Sequence, residues 1–156
     1  MPAINAITDH ETGLTDFVAI RSLHDMGDVD YKGPTHACNF DIQTQSGRRR
    51  FLTAAGDAEL RASDMNGEVF EMTHWLCEPA IFTDEVSGSK TSGCRVTLWD
   101  KGGRRLTAAS WAITRYLDRL VKLYGTGEFE QPIGLLFTNK VDRNGNRSYG
   151  IEMVEM

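Results

Sequence analysis

Long apolar runs and secretion signals are lacking in this chain of 156 residues. No stretch approaches the roughly 20 apolar residues that a membrane helix needs. The first residues, MPAINAITDHETG, have neither the basic start nor the apolar core of a signal peptide, so we expect a cytoplasmic protein. The hydrophobic fraction of 40% and the charged fraction of 25% are typical of a globular protein, either one domain or a small domain with an extension.

Cysteine and histidine are too few and too scattered to indicate a metal or redox centre. Cys38, Cys77 and Cys94 form no C-x-x-C pair, so buried free thiols are the expectation. None of the four histidines sits three or four residues from another ligand on a predicted helix, and HAC (36–38) supplies only two ligands, too few for a zinc site. DVDYKG (28–33) lacks the bidentate Glu of a calcium loop, and SGSKTSG (87–93) lacks the spacing of a phosphate-binding loop. We expect no metal and no cofactor.

Catalytic motifs are lacking as well. The sequence has neither a G-x-S-x-G elbow nor a cysteine with an orienting histidine and acid nearby, and we expect no enzyme. One enzymatic alternative stays open, a nuclease that uses acids near Asp84, Glu85 or Asp142.

Charge is abundant but unevenly distributed along the chain. The formal net charge is −5, and acidic residues dominate 57–85, where Arg61 is the one cation. Cations concentrate in 47–50, 90–105 and 139–147. Because a ligand responds to the local field of a surface rather than to the net charge, an acidic protein of this kind can still hold a polyanion.

The first third of the chain indicates a β-rich extension. Residues 1–15 show no periodicity, and we expect a loosely held arm there. Residues 16–23 are typical of a short strand, and 36–44 and 48–55 of two strands joined by the turn QSG. We therefore assign 1–66 to an N-terminal β-rich extension that packs on the rest of the protein.

A firmer pattern begins at Gly67. Alternation predicts strands, apolar residues at helical spacing follow the candidate N-cap Ser110, Gly125 is a candidate helix end, and Asn144-Gly145 predicts a hairpin. The predicted elements are a long strand at 67–83 bent at Pro79, strands at 94–99 and 104–109, a helix from 111 to 124, and strands at 132–141 and 147–155.

This order predicts the fold class. A β-β-β-α-β-β succession over 67–156 is that of an OB-like barrel, a five-stranded, partly open Greek key. We therefore predict a mainly β protein with one helix in the C-terminal half and an N-terminal β extension. A mixed α+β sandwich has the same succession and stays open as the alternative.

Cations and aromatic rings fall where such a barrel binds its ligands. Single-stranded nucleic acid is held by a cationic groove and by rings that stack on bases. The predicted second strand places Arg95 and Trp99 opposite its apolar face, and the flanking loops add further cations. The predicted binding residues are Lys90, Arg95, Trp99, Lys101, Arg104, Arg105, Lys140, Arg143, Arg147 and Tyr149.

The other aromatic and cationic residues have plainer expected roles. We expect Trp75 and Trp111 in the core, because tryptophan is highly buried on average. GRRRF (47–51) is expected at a solvated hairpin end, with a second phosphate contact as the alternative. Trp99 could equally close the end of the barrel instead of stacking on a base.

Three stretches together resemble the small single-stranded DNA-binding proteins of bacteriophages and mobile elements: VTLWDKGGRRLTAASWAITRYLDRLVKLYG, PIGLLF and SYGIEMVE. The resemblance covers about 67–155 and lies in element order and composition. It implies an OB-type barrel that coats exposed strands without a cofactor and with little sequence preference, through the binding residues named above. Bacterial relatives usually carry an acidic C-terminal tip that recruits partners. Here GIEMVEM ends directly on the last predicted strand and contains just two acids, Glu152 and Glu155, so recruitment of that kind is not expected.

The sequence thus predicts a sequence-tolerant, homo-oligomeric protein that binds single-stranded DNA in replication or recombination, with RNA as an open alternative and no membrane contact. If the chain is encoded by a phage, it would act in the host cytoplasm. The competing hypothesis is a phage structural or self-assembling interaction protein without nucleic-acid binding, which the acidic total and the β-rich N-terminal third favour.

Overall fold

A computed structural model describes residues 7–8, 15–16, 22–54, 56 and 58–155. Within these residues the protein is mainly β, with two α-helices and a curled, open, mixed sheet. In chain order the elements are β1 (Ile7–Thr8), β2 (Thr15–Asp16), β3 (Ala37–Cys38), α1 (Gln45–Thr53), β4 (Leu60–Arg61), β5 (Val69–Thr83), β6 (Lys90–Asp100), β7 (Arg105–Ala108), α2 (Trp111–Tyr124), β8 (Ile133–Val141) and β9 (Arg147–Val154).

The main sheet has seven strands in the order β4-β7-β6-β5-β8-β9, with β3 paired to β5 beside this path. β5, β6 and β7 pair in succession, and the chain then returns through α2 to place β8 against β5. Three consecutive antiparallel strands with the fourth beside the first form a Greek key. The predicted succession of five strands and one helix after Gly67 is therefore confirmed.

Both faces of the central strand β6 are buried, each against a different part of the chain. Val96 and Leu98 point into the larger core, which α2 covers with Leu117 and Leu120. Trp99 points the opposite way, because successive side chains of a strand alternate between the two faces. On that outer face lies a smaller core, formed by Cys38, Phe40, Ile42, Ala54, Leu76 and Trp99. The two helices therefore cover opposite faces of β6.

The predicted helix of the C-terminal half is confirmed from end to end. The hydroxyl of Ser110 accepts a hydrogen bond from the backbone N–H of Ile113 at 3.4 Å, which satisfies one of the free donors of the first turn. Gly125 ends the helix with a φ of 76°, a conformation that costs a residue with a side chain. Among the described helices, α2 is the longest, and none of them has the length and apolarity to cross a bilayer.

The predicted hairpin over 36–55 is wrong, because its second half forms α1. Thr44 caps this helix by accepting a hydrogen bond from the N–H of Gly47 at 3.0 Å. Gly47 lies in the first helical turn and not in a strand connection. A Cβ built on Gly47 would come within 1.8 Å of the carbonyl oxygen of Asp41, so the glycine is required for a close backbone approach. Of the first predicted strand, only β3 is extended and paired.

Other parts of the first 66 residues also differ from the prediction or lie beyond the description. Residues 17–21 of the strand predicted at 16–23 lie outside the described residues, and Leu23 begins a 3-10 turn, Leu23–Gly27. β1 and β2 pair with each other in the region expected to be a loose arm. The division of the chain at residue 66 stays a prediction.

Candidate functional site

Four of the eight cations of the predicted binding face are paired with carboxylates. The β6–β7 turn carries three of them, which we call the hairpin cations: Lys101, Arg104 and Arg105. Lys101 Nζ lies 3.1 Å from Glu71 Oε2, Arg104 Nε lies 2.7 Å from Asp100 Oδ2, and Arg105 Nε lies 3.3 Å from Glu59 Oε2. The acidic residues that surround this turn in space therefore offset the cations that gather there in sequence.

Asp100 organises the turn between β6 and β7. Its carboxylate is buried and accepts hydrogen bonds from the N–H groups of Gly102 and Arg104 at 2.9 and 2.8 Å, besides that from the guanidinium of Arg104. A carboxylate that accepts several N–H groups in this way fixes the conformation of a turn. The cation of Arg104 thus stabilises the turn that carries it.

Arg105 connects β7 to the end of α1. Its guanidinium donates to the carbonyl oxygen of Thr53 and to the carboxylate of Glu59. A cation at a helix C-terminus satisfies a carbonyl that has no partner within the helix and is attracted by the helix dipole. Hydrogen bonds from Arg105 also hold the pKa of Glu59 below its ordinary value. Arg105 is therefore occupied by structural contacts.

Arg95 lies on the outer face of β6 and has a weaker ion pair. Its guanidinium is 4.0 Å from Glu78 Oε1, across the β5–β6 pair. Burial raises the pKa of Glu78, and the neighbouring cation of Arg95 opposes that shift. The net rise means that desolvation of this carboxyl outweighs the attraction of its partner.

The predicted exposure of the Trp99 ring is wrong, because the structure buries this side chain. The side chain is 5% exposed and meets Phe40 edge to face, with ring centroids 5.6 Å apart. Segment 36–54 covers the outer face of β6, so the strand is buried on both sides. A base could reach the rim of the indole here, but not its face.

The remaining predicted residues lie on two hairpins that the structure does not bring together. Lys90 pairs with Thr83 at the C-terminal end of β5, whereas Lys140 and Arg143 lie beyond its N-terminal end, where β8 continues past the pairing with Val69. All three cations are exposed and have no ion pair among the described residues. Arg147 and Tyr149 belong to β9, but their side chains lie outside the description.

Two arginines of α1, Arg49 and Arg50, line a cleft together with Trp99. A cleft of about 650 Å³ opens between α1 and the end of β6. Arg49 is exposed on its wall and Arg50 is half-buried, and neither forms an ion pair within the part of the chain that the structure describes. We call this site the α1 cleft; it is lined by Gln45, Ser46, Arg49, Arg50, Thr53 and Trp99.

Arg50 joins the cleft to a polar cluster beside it. Its guanidinium carbon lies 5.3 Å from the ring centroid of Phe40, a distance typical of a cation–π contact. On β5, the ring of His74 lies 3.5 Å from the carboxylate of Glu128. Burial lowers the pKa of His74, the cation of Arg50 lowers it further, and the carboxylate of Glu128 opposes both. The imidazole is therefore biased toward its neutral form, although an acid lies next to it.

Sequence reasoning misplaced two groups of side chains. Arg49 and Arg50 were placed in a strand, so their position beside Trp99 was not predicted. Trp75 is buried as expected, but Trp111 is 63% exposed, and its expected place in the core is wrong. The spacing could have indicated this, because Trp111 precedes the solvent-facing Arg115 by four residues and therefore shares its side of the helix.

The described residues hold no group of three or more His, Cys, Asp or Glu side chains that could bind a metal ion. The three cysteines are free and buried, as expected. Comparisons with family models, with curated proteins and with solved structures find no match for this chain. A functional assignment must therefore be argued from the surfaces described above.

Proposed function

We propose that the protein binds single-stranded DNA with little sequence preference and coats exposed strands. The observation that carries the proposal is the α1 cleft, where guanidinium groups that form no ion pair among the described residues lie beside an indole. Cations that track phosphates, combined with aromatic rings, are the usual means of holding a single strand. Because Trp99 exposes so little surface, the cleft in this conformation acts mainly through phosphate contacts from Arg49 and Arg50.

The strand order supports the same function. A Greek key whose first strand pairs with both the second and the fourth is compatible with an OB-like barrel, and barrels of that type bind oligonucleotides on the outer face of strands two and three. In this chain those strands are β6 and β7; segment 36–54 covers the outer face of β6, and the α1 cleft opens between this cover and the end of the strand. Fold alone does not establish an activity, so the cleft carries more weight than the topology.

Fluorescence anisotropy with labelled oligo-dT at increasing salt tests the proposal. We expect binding that weakens with salt, because phosphate contacts release counterions. Replacing Arg49 and Arg50 by Gln should reduce the affinity at least about tenfold, as expected for two lost hydrogen bonds to charged groups. It should also flatten the slope of log affinity against log salt by about 1.4, or 0.7 per lost contact to a single strand.

The matched control removes two of the hairpin cations, which are paired with carboxylates. The double variant Lys101→Gln, Arg104→Gln loses the same formal charge, and its affinity should change by less than about threefold, because these side chains are engaged with Glu71 and Asp100 and contact no phosphate. Thermal melts establish that each variant is folded. A wild-type protein that binds no oligonucleotide at low salt, or binds equally at all salt concentrations, would rule the proposal out. Oligo-rU in parallel separates a DNA from an RNA preference.

Self-assembly is a second candidate, favoured by the edge of the sheet. β9 ends the strand order and, within the described residues, pairs only with β8. Leu123, Tyr124 and Met153 are exposed close to that edge, and an unpaired edge with apolar neighbours is prone to pair with another chain. Light scattering after size exclusion would count the subunits. A closed assembly without affinity for oligonucleotides would favour this candidate.

A further inference from the structure

One side of α2 carries an aromatic and cationic surface that the α1 cleft does not include. Trp111, Arg115 and Arg119 follow one another at intervals of four residues, all are exposed, and such spacing places side chains on one side of a helix. We call these three residues the α2 stripe. Tryptophan and arginine are the side chains that most often dominate the energetics of binding surfaces.

The exposed indole is held in a defined orientation. The ring of His24 stacks on it, with centroids 4.8 Å apart and an interplanar angle of 23°, and the guanidinium carbon of Arg115 lies 5.4 Å from its centroid. His24 is positioned in turn by the Leu23–Gly27 turn, because the N–H of Leu23 donates to Asp118 at 2.7 Å. A ring fixed in advance loses little conformational freedom when a ligand binds.

The stripe keeps its positive charge. Asp118, the acid on α2, is buried and is paired with Lys122 at 2.8 Å. Asp25 of the neighbouring turn accepts a hydrogen bond from the N–H of Ser22. Arg115 and Arg119 have no ion pair among residues 22–54 and 58–155. Lys122 therefore engages the acid of α2, and no described carboxylate forms an ion pair with the arginines of the stripe.

We infer that the α2 stripe is a second contact for single-stranded nucleic acid, in which a base packs on the part of the Trp111 ring that His24 leaves open and displaces the guanidinium of Arg115 onto a phosphate, while Arg119 binds a neighbouring phosphate. The inference rests on the proposed function and extends the bound strand beyond the α1 cleft. The stripe is about 12 Å long at 1.5 Å per residue, which matches about three nucleotides at the 3.4 Å spacing of a stacked strand. A strand of this length would lie along the helix.

The two contacts lie on opposite faces of the sheet. α1 covers the outer face of β6 and α2 the inner face, so a strand must pass around the sheet to touch both. A short oligonucleotide can occupy one contact only, whereas a long one can occupy both. The inference therefore predicts an effect that depends on strand length.

The experiment compares oligo-dT of about 8 nucleotides, which lies within the usual site sizes of about 4–16 for one binding domain, with oligo-dT of about 40, which is well above them. Trp111→Ala should reduce the affinity for the long strand at least about fivefold, the lower limit for one stacked base, and leave the short strand within about twofold. Arg115→Gln with Arg119→Gln should lower the salt slope for the long strand by about 1.4. Val86→Ala, a change at an exposed position of the β5–β6 loop outside both contacts, is the control and should have no effect.

Intrinsic fluorescence gives an independent measurement. Of the three tryptophans, Trp75 and Trp99 are buried and Trp111 is exposed, so acrylamide quenching reports mainly on Trp111. Protection of this fluorescence by the long strand alone supports the inference.

The inference is overturned, but the proposed function is not, if the wild-type protein binds the long strand while Trp111 stays quenchable and the variants bind normally. Protection that appears with protein concentration and without DNA overturns it in favour of a contact between copies. Failure of the wild type to bind either strand overturns both.

Discussion

Two arginine-rich segments meet on the outer face of the sheet and use their charges in opposite ways. On the β6–β7 hairpin, Arg104 and Arg105 are held by Asp100 and Glu59. On α1, Arg49 and Arg50 have no acidic partner among the described residues. The segments are in contact, since Arg105 donates to the carbonyl oxygen of Thr53 at the end of α1. Two cation-rich segments that contact each other in space therefore use their charges differently.

The difference shows that a run of cations in a sequence does not define a positive surface. A guanidinium within hydrogen-bond distance of a carboxylate contributes a dipole, whose field falls off faster than that of a free charge and is screened over about 10 Å at moderate salt. The hairpin carries more of the chain's clustered cations, but α1 leaves its own available. A polyanion should therefore respond to α1 first.

The largest effect is expected when the hairpin loses the acid that organises it. Asp100→Ala removes a buried carboxylate and its three hydrogen bonds. We expect the free energy of unfolding to fall by about 3 kcal/mol, since hydrogen bonds to charged groups contribute roughly 1.5–3 kcal/mol each and the exposed part of the turn regains water. Urea denaturation at neutral pH measures the change.

The control is Asp30→Ala, which truncates an exposed aspartate of the loop after Gly27 and should alter stability by less than about 0.5 kcal/mol. Equal losses in the two variants would contradict a structural role for the acid beneath the hairpin cations.

A smaller loss is expected from a change at the start of α1. In Gly47→Ala the added Cβ would lie 1.8 Å from the carbonyl oxygen of Asp41, so the first helical turn has to move. Forced overpacking of this kind costs about 1–3 kcal/mol, and we expect a loss of about 2 kcal/mol in urea denaturation. Because the same movement displaces the wall of the α1 cleft, oligonucleotide affinity should fall as well.

Gly127→Ala is the matched substitution, because a Cβ at that residue meets no atom within 4 Å. If Gly47→Ala proves as stable as Gly127→Ala, the approach between α1 and Asp41 is looser than the structure shows, and the cleft is not a rigid site.

The accuracy of the sequence predictions follows the range of the interactions involved. The elements after Gly67 were predictable because local signals define them: alternation in β6, the cap at Ser110, and the turn at Asn144-Gly145. α1 was not, because its three arginines and Phe51 suit a half-exposed strand as well as a helix, and the deciding contact joins Gly47 to a backbone oxygen outside the helix. The local sequence pattern contains no information on the close approach between Gly47 and the backbone of Asp41.

The candidate site was harder to predict for the same reason. The sequence indicated which side chains could bind phosphate, but the partners that occupy them come from distant positions, such as Glu59 for Arg105 and Glu71 for Lys101. Trp99 alternates correctly along β6, yet its burial depends on a segment about 60 residues earlier in the chain, a separation beyond the reach of periodicity. Pairing and burial of this kind are tertiary properties.

The smallest effect expected is electrostatic and separates the two arginine groups most directly. The pKa of His74 is lowered from 6.5 chiefly by burial and then by the cation of Arg50. Unfolded His74 therefore binds more protons than folded His74 below about pH 6.5, and stability is lost as the pH falls through that range.

In Arg50→Gln the pKa of His74, followed by the NMR titration of its ring protons, should rise, and the stability lost between pH 7.5 and 5.5 should shrink. Arg104→Gln should leave the titration unchanged, because the charges that act on His74 are those of Arg50 and Glu128. If the two variants shift His74 equally, the contrast between paired and unpaired arginines fails. If neither does, the field of Arg50 does not reach the imidazole, and the cleft is less positive than its geometry indicates.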